Sequence, residues 1–421
     1  MKVAFLVNDL QLSGGVGVVV QHARQLSRIE GWDVTLILVR EQDGLSWRGY
    51  EHLAHLRVRP REEALCEHYD IAVATWWETT FTLFELSADR YAYFVQSLED
   101  RFYRHDEAEQ LGAGLTLDLP VAFITEARWI ADTLAGLRPD APCYLVRNGI
   151  DKDVFGPLEQ APINAAQPLR VLVEGAPNAW FKHVHDAIHA AAAMREPHHV
   201  TVVCGDHEAL GEVVADEIVG PLSHREMADL YERSDVVLKL SSVEGMFGPP
   251  LEGFHRGATC VVTPVTGHEE YVEHGWNGLL ADWGDLRGTA RQLDLLARDR
   301  ELLHFLRTNA LETARAWPSW QQSSQFMAGA LLAICREPPP ASAAGAARLL
   351  ADLRAGVDAY NGHLRERMDF ARRAMRYERP VARLRRSPTW QRLSVLRRNR
   401  LVKFAARPLR PLTRRARELL S

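Results

Sequence analysis

Cysteine is scarce in this chain: five residues in 421, widely spaced at Cys66, Cys143, Cys204, Cys260 and Cys335. They form no C-x-x-C pair and no Cys/His cluster at metal-finger spacing, which excludes a disulfide-stapled scaffold and a structural zinc domain and fits a reducing compartment. Long apolar runs are missing too. Met327–Cys335 is among the longest and falls well short of the roughly 18 continuous apolar residues of a membrane span, so the chain is not expected to cross a bilayer. The opening Met1–Asn8 run is too short for a secretory signal, turns polar at Asn8-Asp9 and reads as the first strand of a core. Also absent is the last glycine of a dinucleotide fingerprint: Gly15-Val16-Gly17 is followed by Val18, Val19 and Val20, so the G-x-G-x-x-G of an NAD site is not completed. What is present, 47% hydrophobic and 25% charged residues, is the composition of a globular protein of two to three domains.

The formal net charge of −5 hides a strong polarity along the chain. From Gly362 to the end, 19 Lys and Arg face four acids, a net +15, whereas residues 1–361 carry 31 basic against 51 acidic residues, a net −20. Such an asymmetry points to a polyanionic partner. Within 379–417 there are 14 basic residues and no acid, and Arg397, Arg398, Arg400 and Lys403 stand beside Leu393, Leu396, Val402 and Phe404. That basic amphipathic pattern suits an anionic membrane surface, and no nucleic-acid module accompanies it, so no nucleic-acid partner is expected. Packing of the tail on the acidic body is the competing reading.

The first 150 residues alternate β-rich runs with helical patterns. Val3–Asn8 and Val34–Val39 read as strands flanking a helix whose Val16, Val19, Val20, Ala23 and Leu26 fall on one face. Ile71–Ala74, Tyr91–Val95, Val121–Thr125 and Tyr144–Val146 are further strand candidates, apolar throughout rather than alternating, as in a parallel sheet covered on both faces. After the polar, Pro- and Ala-rich stretch Leu158–Pro168 the pattern restarts with strands Arg170–Val173, Val200–Cys204, Val236–Leu240 and Cys260–Val262 and helices from about Lys182 and from Pro249. Two doubly wound α/β halves would face one another across a cleft lined by loops at their strand ends. From Ala341 the composition shifts to Ala, Arg and Leu and reads as a helical, basic tail.

Two loops carry chemistry. Gly14-Gly15-Val16-Gly17 follows the first strand, where a backbone without Cβ atoms approaches a phosphate or sugar at a helix N-terminus, or simply turns tightly. Ser241–Gly253 joins a strand to a helix opened by proline, and places Glu244 in the loop and Glu252 in the first turns of the helix. Glu252 can accept hydrogen bonds from vicinal hydroxyls, or merely complement the helix dipole.

The stretch Ser241–Val262, with Gly267-His268-Glu269-Glu270-Tyr271-Val272 and Gly275-Trp276-Asn277-Gly278-Leu279-Leu280 behind it, resembles the donor-site half of the retaining glycosyltransferases of family 4 (glycosyltransferase group 1). Arg147-Asn148-Gly149-Ile150-Asp151 and Leu230–Leu238 are similar to further signatures of that family. The resemblance covers Met1 to about Cys335 and implies a GT-B fold: an acceptor-side Rossmann-like domain over 1–157, a nucleotide-sugar-binding one over 158–318, a helix over 319–340 packing back toward the first, and the tail 341–421. It assigns Glu252 to the donor's ribose, Glu244 to its sugar, Lys182 to its diphosphate, Gly245, Met246, Phe247 and Gly248 to amide contacts with sugar and phosphate, and Gly14 and Gly15 to the facing glycine loop. Lys182 and Glu244 are the expected catalytic groups. Lysine and helix N-termini can stabilise a departing diphosphate without a metal, so neither metal nor cofactor is expected.

The sequence departs from that pattern twice. Ala176 stands where the family usually has arginine, and Gln96 follows Tyr93-Phe94-Val95 where it often has histidine. Gln96-Ser97-Leu98-Glu99 with Arg101-Phe102-Tyr103 is similar to a subgroup that includes rhamnosyltransferases, and Gln96, Glu99 and Trp77 are the candidate acceptor-side residues, with core packing the competing reading for at least one of Trp76 and Trp77. Asp151-Lys152-Asp153 has the D-x-D spacing of a metal motif, but its place after Asn148-Gly149-Ile150 favours a turn and helix cap. Among the histidines, His268 beside Gly267 is the one worth testing. The sequence thus predicts a retaining, metal-independent transferase of sugar from a nucleotide diphosphate to a glycan or lipid-linked acceptor, cytoplasmic and peripherally bound to the inner face of the membrane. The alternative is a non-catalytic GT-B scaffold that docks through its tail.

Overall fold

A computed structural model describes residues 1–11, 13–42, 55–105, 107–158 and 167–338, and parts of 345–369. The basic segment 379–417 expected at a membrane lies outside the described residues.

Two parallel sheets organise the chain. The first holds β1 (Lys2–Val7), β2 (Asp33–Leu38), β3 (Arg57–Pro60), β4 (His68–Ala74), β5 (Ser87–Val95), β6 (Ala122–Thr125) and β7 (Cys143–Leu145), in the order β3-β2-β1-β4-β5-β6-β7. Its central register sets Val3 beside both Val34 and Ile71. The second holds β8 (Leu169–Glu174), β9 (His198–Val203), β10 (Glu217–Val219), β11 (Val236–Lys239), β12 (Thr259–Val262) and β13 (Leu279–Leu280), in the order β10-β9-β8-β11-β12-β13. Strand order reverses between β1 and β4 in the first lobe and between β8 and β11 in the second. These are the points where open α/β sheets bind ligands, outside the carboxyl ends of the strands.

Strands in such sheets are buried on both faces, and the side chains alternate between two apolar clusters: Ala4, Leu6, Ala72 and Ala74 pack on one side, Val3, Phe5, Ile71 and Val73 on the other. The helices are α1 (Gly14–Leu26), α2 (Arg61–Ala64), α3 (Thr80–Leu83), α4 (Ala108–Leu115), α5 (Arg128–Leu137), α6 (Val184–Ala192), α7 (His207–Leu210), α8 (His224–Glu232), α9 (Gly248–His255), α10 (Leu286–Arg298), α11 (Arg300–Ala316) and α12 (Trp320–Arg336). No helix among the described residues is long and apolar enough to cross a membrane.

The chain returns to the first lobe at its end. Ser319 caps α12 with a reciprocal Ser319–Gln322 box, and Met327, Leu331 and Ile334, one face of that helix, join Val19, Val20 and Ala23 of α1 in the core. His22 bonds Ser324 at 2.9 Å, and burial pushes its pKa down to about 3, so it is neutral there. Leu350 and Val357 are also buried, Leu350 in the apolar cluster that holds Ala4 and Leu6 and Val357 close to Gly112 of α4, so the compact unit runs to Val357.

The expected strands are all present, with ends shifted by at most four residues. Three strands were not expected. Arg57-Val58-Arg59-Pro60 is an edge strand whose charges mask it, and β10 and β13 are edge strands of three and two residues, too short to print a pattern. Lys182 was placed on a helix and instead ends a short 3-10 turn, Trp180–Lys182. His183, at φ 47°, breaks the path before α6 begins, a conformation that L residues with a Cβ seldom adopt.

Candidate active site

The carboxyl ends of β8 and β11 open the second lobe's switch point, and the loop after β11 runs into α9 with Pro249 and Pro250 in its first turn. Glu244 in that loop is 7% exposed, and both its oxygens accept from Lys182 Nζ, at 2.8 and 2.7 Å. The pair is fixed by stitching between the two loops: the Ser242 amide donates to the Phe181 carbonyl at 2.7 Å, and His183 Nε2 lies 3.1 Å from Ser242 Oγ while its Nδ1 lies 2.9 Å from Asp186. His183 therefore holds Lys182 against the Glu244 loop, a role its position in the sequence did not reveal.

Glu252 lies one turn into α9, hydrogen-bonded to Tyr231 of α8. Burial, then the neighbouring Glu174, push its pKa up to about 7. Glu174 and Lys239 end β8 and β11 and form a buried ion pair of 2.5 Å, with Lys239 2% exposed. Neither was singled out in the sequence, although a lysine within the apolar run Val236–Leu240 is a visible anomaly.

The first lobe closes onto this loop. Glu126, at the end of β6 and 5% exposed, accepts from the Met246 amide at 2.9 Å and from Asn148 Nδ2 at 2.8 Å. Trp129 Nε1 donates to the Gly245 carbonyl at 3.0 Å, Arg101 to Thr266 Oγ1 at 2.8 Å, and Trp180 Nε1 to the Phe102 carbonyl at 3.1 Å. Glu270 of the second lobe accepts from Arg147 Nε at 2.9 Å and from the Arg128 amide that opens α5. Burial above all, with Glu244 and Glu270 nearby, lifts the Glu126 pKa to about 7.

The other expected residues divide into two sets. Gly14 and Gly15 form the first turn of α1 behind the Ser13 cap, and the face left bare by Gly15 lies against the Gln96 side chain, which donates to the Thr75 carbonyl at 3.2 Å. The Gln96 backbone in turn abuts Gly245, so Gly15, Gln96 and the Glu244 loop are brought together across the lobes. Met246 and Phe247 are buried and Gly248 opens α9. Glu99 and Trp77 are drawn inward: Glu99, 3% exposed, accepts from the Trp77 amide and the Tyr93 hydroxyl, burial raises its pKa well above the carboxyl range, and Trp77 Nε1 donates to Tyr103. Trp76, Phe102, Phe181 and Trp180 instead form a run of touching rings from the first lobe to the second, beside Lys182. His268 Nδ1 bonds the Val265 carbonyl at 2.7 Å and holds a turn. Asp151 accepts from the Asp153 amide in a turn, and no group of three or more His, Cys, Asp or Glu with metal-holding geometry occurs among the described residues.

Comparison with known proteins bears directly on this lobe. Residues 168–299 match the family model described as glycosyl transferases group 1. That match falls within the second lobe and covers less than a third of the chain. Over 197 residues the chain is 25% identical to N-acetyl-alpha-D-glucosaminyl L-malate synthase of Bacillus anthracis, a match spanning 44% of this chain and 52% of that protein, so the chain spans about half the length of the curated relative it matches. Among solved structures it is similar to the sucrose-phosphate synthase of Thermosynechococcus elongatus (TM-score 0.64, 16% identity, 79% of this chain and 98% of that one). It is similar also to Anabaena HepE in complex with UDP-glucose (TM-score 0.64, 17% identity, 79% and 100%) and to the apo lipopolysaccharide outer core galactosyltransferase WaaB (TM-score 0.59, 12% identity, 79% and 99%). At these identities the structures establish the fold, which is GT-B.

Proposed function

We propose that the chain is a retaining, metal-independent glycosyltransferase that moves a sugar from a nucleotide diphosphate to a hydroxyl of a glycan or lipid-linked acceptor. The reading is carried by one observation: Lys182 and Glu244 are paired at 2.7 Å on the loops that flank the switch point of the group 1 domain, under a closed first lobe. In this reading the bond between the anomeric carbon and the diphosphate breaks, its electron pair passes to the phosphate oxygen, and Lys182 with the amides of Gly245–Gly248 stabilises the charge that develops. The acceptor oxygen bonds the same face of the sugar and its proton passes to the departing phosphate, so no side-chain base is required. Glu252 accepts from the ribose hydroxyls, and Glu244 positions the sugar. The HepE complex with UDP-glucose, a protein of the same fold, supports a nucleotide sugar as donor.

Thermal-shift screening with UDP-, GDP- and dTDP-sugars selects the donor, and NMR of the product then reads the anomeric configuration. Retention of configuration, with activity unchanged by a chelator, is expected. Inversion, or loss with chelator and recovery with manganese, would overturn those parts of the proposal.

The acceptor and the location rest on the basic segment 379–417, which suits an anionic membrane at its cytoplasmic face. A second reading, a non-catalytic scaffold of the same fold, is favoured by the exposed Ala176 where related chains usually carry arginine. Under that reading the protein binds nucleotide but neither hydrolyses nor transfers any donor, and Glu244→Ala is indistinguishable from wild type.

A further inference from the structure

The charges at the switch point are out of balance for an anionic ligand. Lys182 is already matched by Glu244, Lys239 by Glu174, and Glu252 adds a third carboxyl. A nucleotide diphosphate brings at least two further negative charges into this space. One lysine shared with a glutamate leaves most of that charge to the loop amides, and a second cation would strengthen the site.

The two strands that define the switch point end in a cation and an anion, Lys239 on β11 and Glu174 on β8. Lys239 Nζ donates to both the Glu174 carboxylate, at 2.5 Å, and the Glu174 carbonyl, at 3.1 Å. Its side chain is 1% exposed, while that of Glu174 is 28% exposed, so Lys239 is the enclosed partner and Glu174 the one nearer the surface. Gly175 adjoins both cations: a Cβ built there would lie 3.6 Å from Lys182 Cβ and 3.8 Å from Lys239 Nζ. Burial opposes the charge on Lys239, but Glu174, Glu244 and Glu252 outweigh it and hold the ammonium above its ordinary range. A buried ion pair is seldom retained for stability alone, because well-packed apolar residues serve as well or better.

We propose that Lys239 is the second cation of the donor site, masked by Glu174 when the site is empty and turned to the diphosphate when Glu174 gives way. The inference rests on the transferase reading and deepens it. It also accounts for Ala176: with a lysine arriving from β11, the loop after β8 needs no cation of its own.

The test uses the full chain and the nucleoside diphosphate, among UDP, GDP and dTDP, that it binds, with the matching monophosphate as control, titrated by calorimetry. Glu174→Gln alone keeps a hydrogen-bonding partner for Lys239 while freeing its charge, and should tighten diphosphate binding by about threefold or leave it unchanged. Glu174→Gln with Lys239→Met removes both charges together and keeps the volume. It should weaken the diphosphate by about ten- to a hundredfold, the range of a charge-assisted hydrogen bond, and the monophosphate by less than about threefold. Adding Ala176→Arg to the double variant should restore at least about tenfold of the loss. Circular dichroism establishes that each variant folds. If the double variant is folded and binds the diphosphate within about twofold of wild type, or loses mono- and diphosphate equally, Lys239 is structural and the proposal fails. If Glu174→Gln alone weakens binding as much as the double variant, the masking role fails as well. A wild-type chain that binds none of the three diphosphates overturns the transferase reading itself, an outcome distinct from failure of the lysine.

Discussion

Gly245 sits where the second lobe's loop abuts Gln96 and Glu126 of the first, and its role there is steric. Its φ is not in the left-handed region, so alanine fits its backbone. The first lobe forbids it: a Cβ would overlap the Gln96 carbonyl oxygen, stand 3.0 Å from the Gln96 carbonyl carbon and 2.9 Å from Glu126 Oε1. Atoms in contact rest about 3.5 Å apart, and the carbonyl oxygen is the nearest of the three, so the lobes must separate by more than about 1 Å to admit the methyl group. That shift stretches the bonds from Trp129 to the Gly245 carbonyl and from the Met246 amide to Glu126, which hold the Glu244 loop in place. A misplacement of about 1 Å between reacting groups can cost about 10²-fold in rate. Gly245→Ala should therefore lower kcat/KM for the nucleotide sugar by about 10²-fold. The melting temperature should fall by no more than about 4 °C, the shift that about 1 kcal/mol produces in a domain of this size. Release of nucleoside diphosphate and thermal denaturation measure the two. Activity within about threefold of wild type would refute the closed arrangement as the working state, and a collapse of stability would refute the interlobe origin of the effect.

Three further outcomes follow from the structure. Glu126 has a folded-state pKa of about 7, above its unfolded value, so the folded protein holds a proton that the unfolded chain has released; stability on its account falls as pH rises from about 4.5 to about 7, by at most about 3 kcal/mol. Glu126→Gln should flatten that part of the stability profile in chemical denaturation, and an unchanged slope would assign it elsewhere. Asp235, 5% exposed, accepts from Arg170 at 2.7 Å and from the fully buried Arg307 at 2.9 Å; Asp235→Ala leaves a buried arginine unpaired and should cost about 3–5 kcal/mol in urea denaturation, and a cost under about 1 kcal/mol would contradict this. Removal of residues 380–421 should release the protein from anionic liposomes in a sedimentation assay, and unchanged sedimentation would reject the membrane role of the tail.

What the sequence made legible has a physical pattern. Parallel strands buried on both faces print apolar runs, which is why Val3–Val7, Ile71–Ala74 and Val236–Leu238 could be read directly. The loop from Ser241 was legible because proline at a helix start and a glycine-rich turn are local signals. Contacts between distant residues left no such mark. Glu126 meets Met246 across 120 positions and Glu174 meets Lys239 across 65, and nothing in either stretch announces the partner. His183 was hidden for another reason, since its strained backbone is set by the path from the 3-10 turn to α6. Glu99 and Trp77 are candidate acceptor-side residues in the sequence, and the 3-10 turns that hold them, Glu99–Phe102 and Trp77–Thr79, are too short to show a periodicity from which their inward direction could be inferred.

In the proposed reaction Lys182 and the loops beside it take charge from a departing diphosphate. The most direct measurement is release of nucleoside diphosphate from a panel of nucleotide sugars by wild type and by Lys182→Ala. Wild type should turn over at least one donor, and the variant should lose about 10²–10³-fold in rate, the scale set by removing one donor to a developing oxyanion. Equal rates in the two proteins, or no turnover of any donor by wild type, would contradict this.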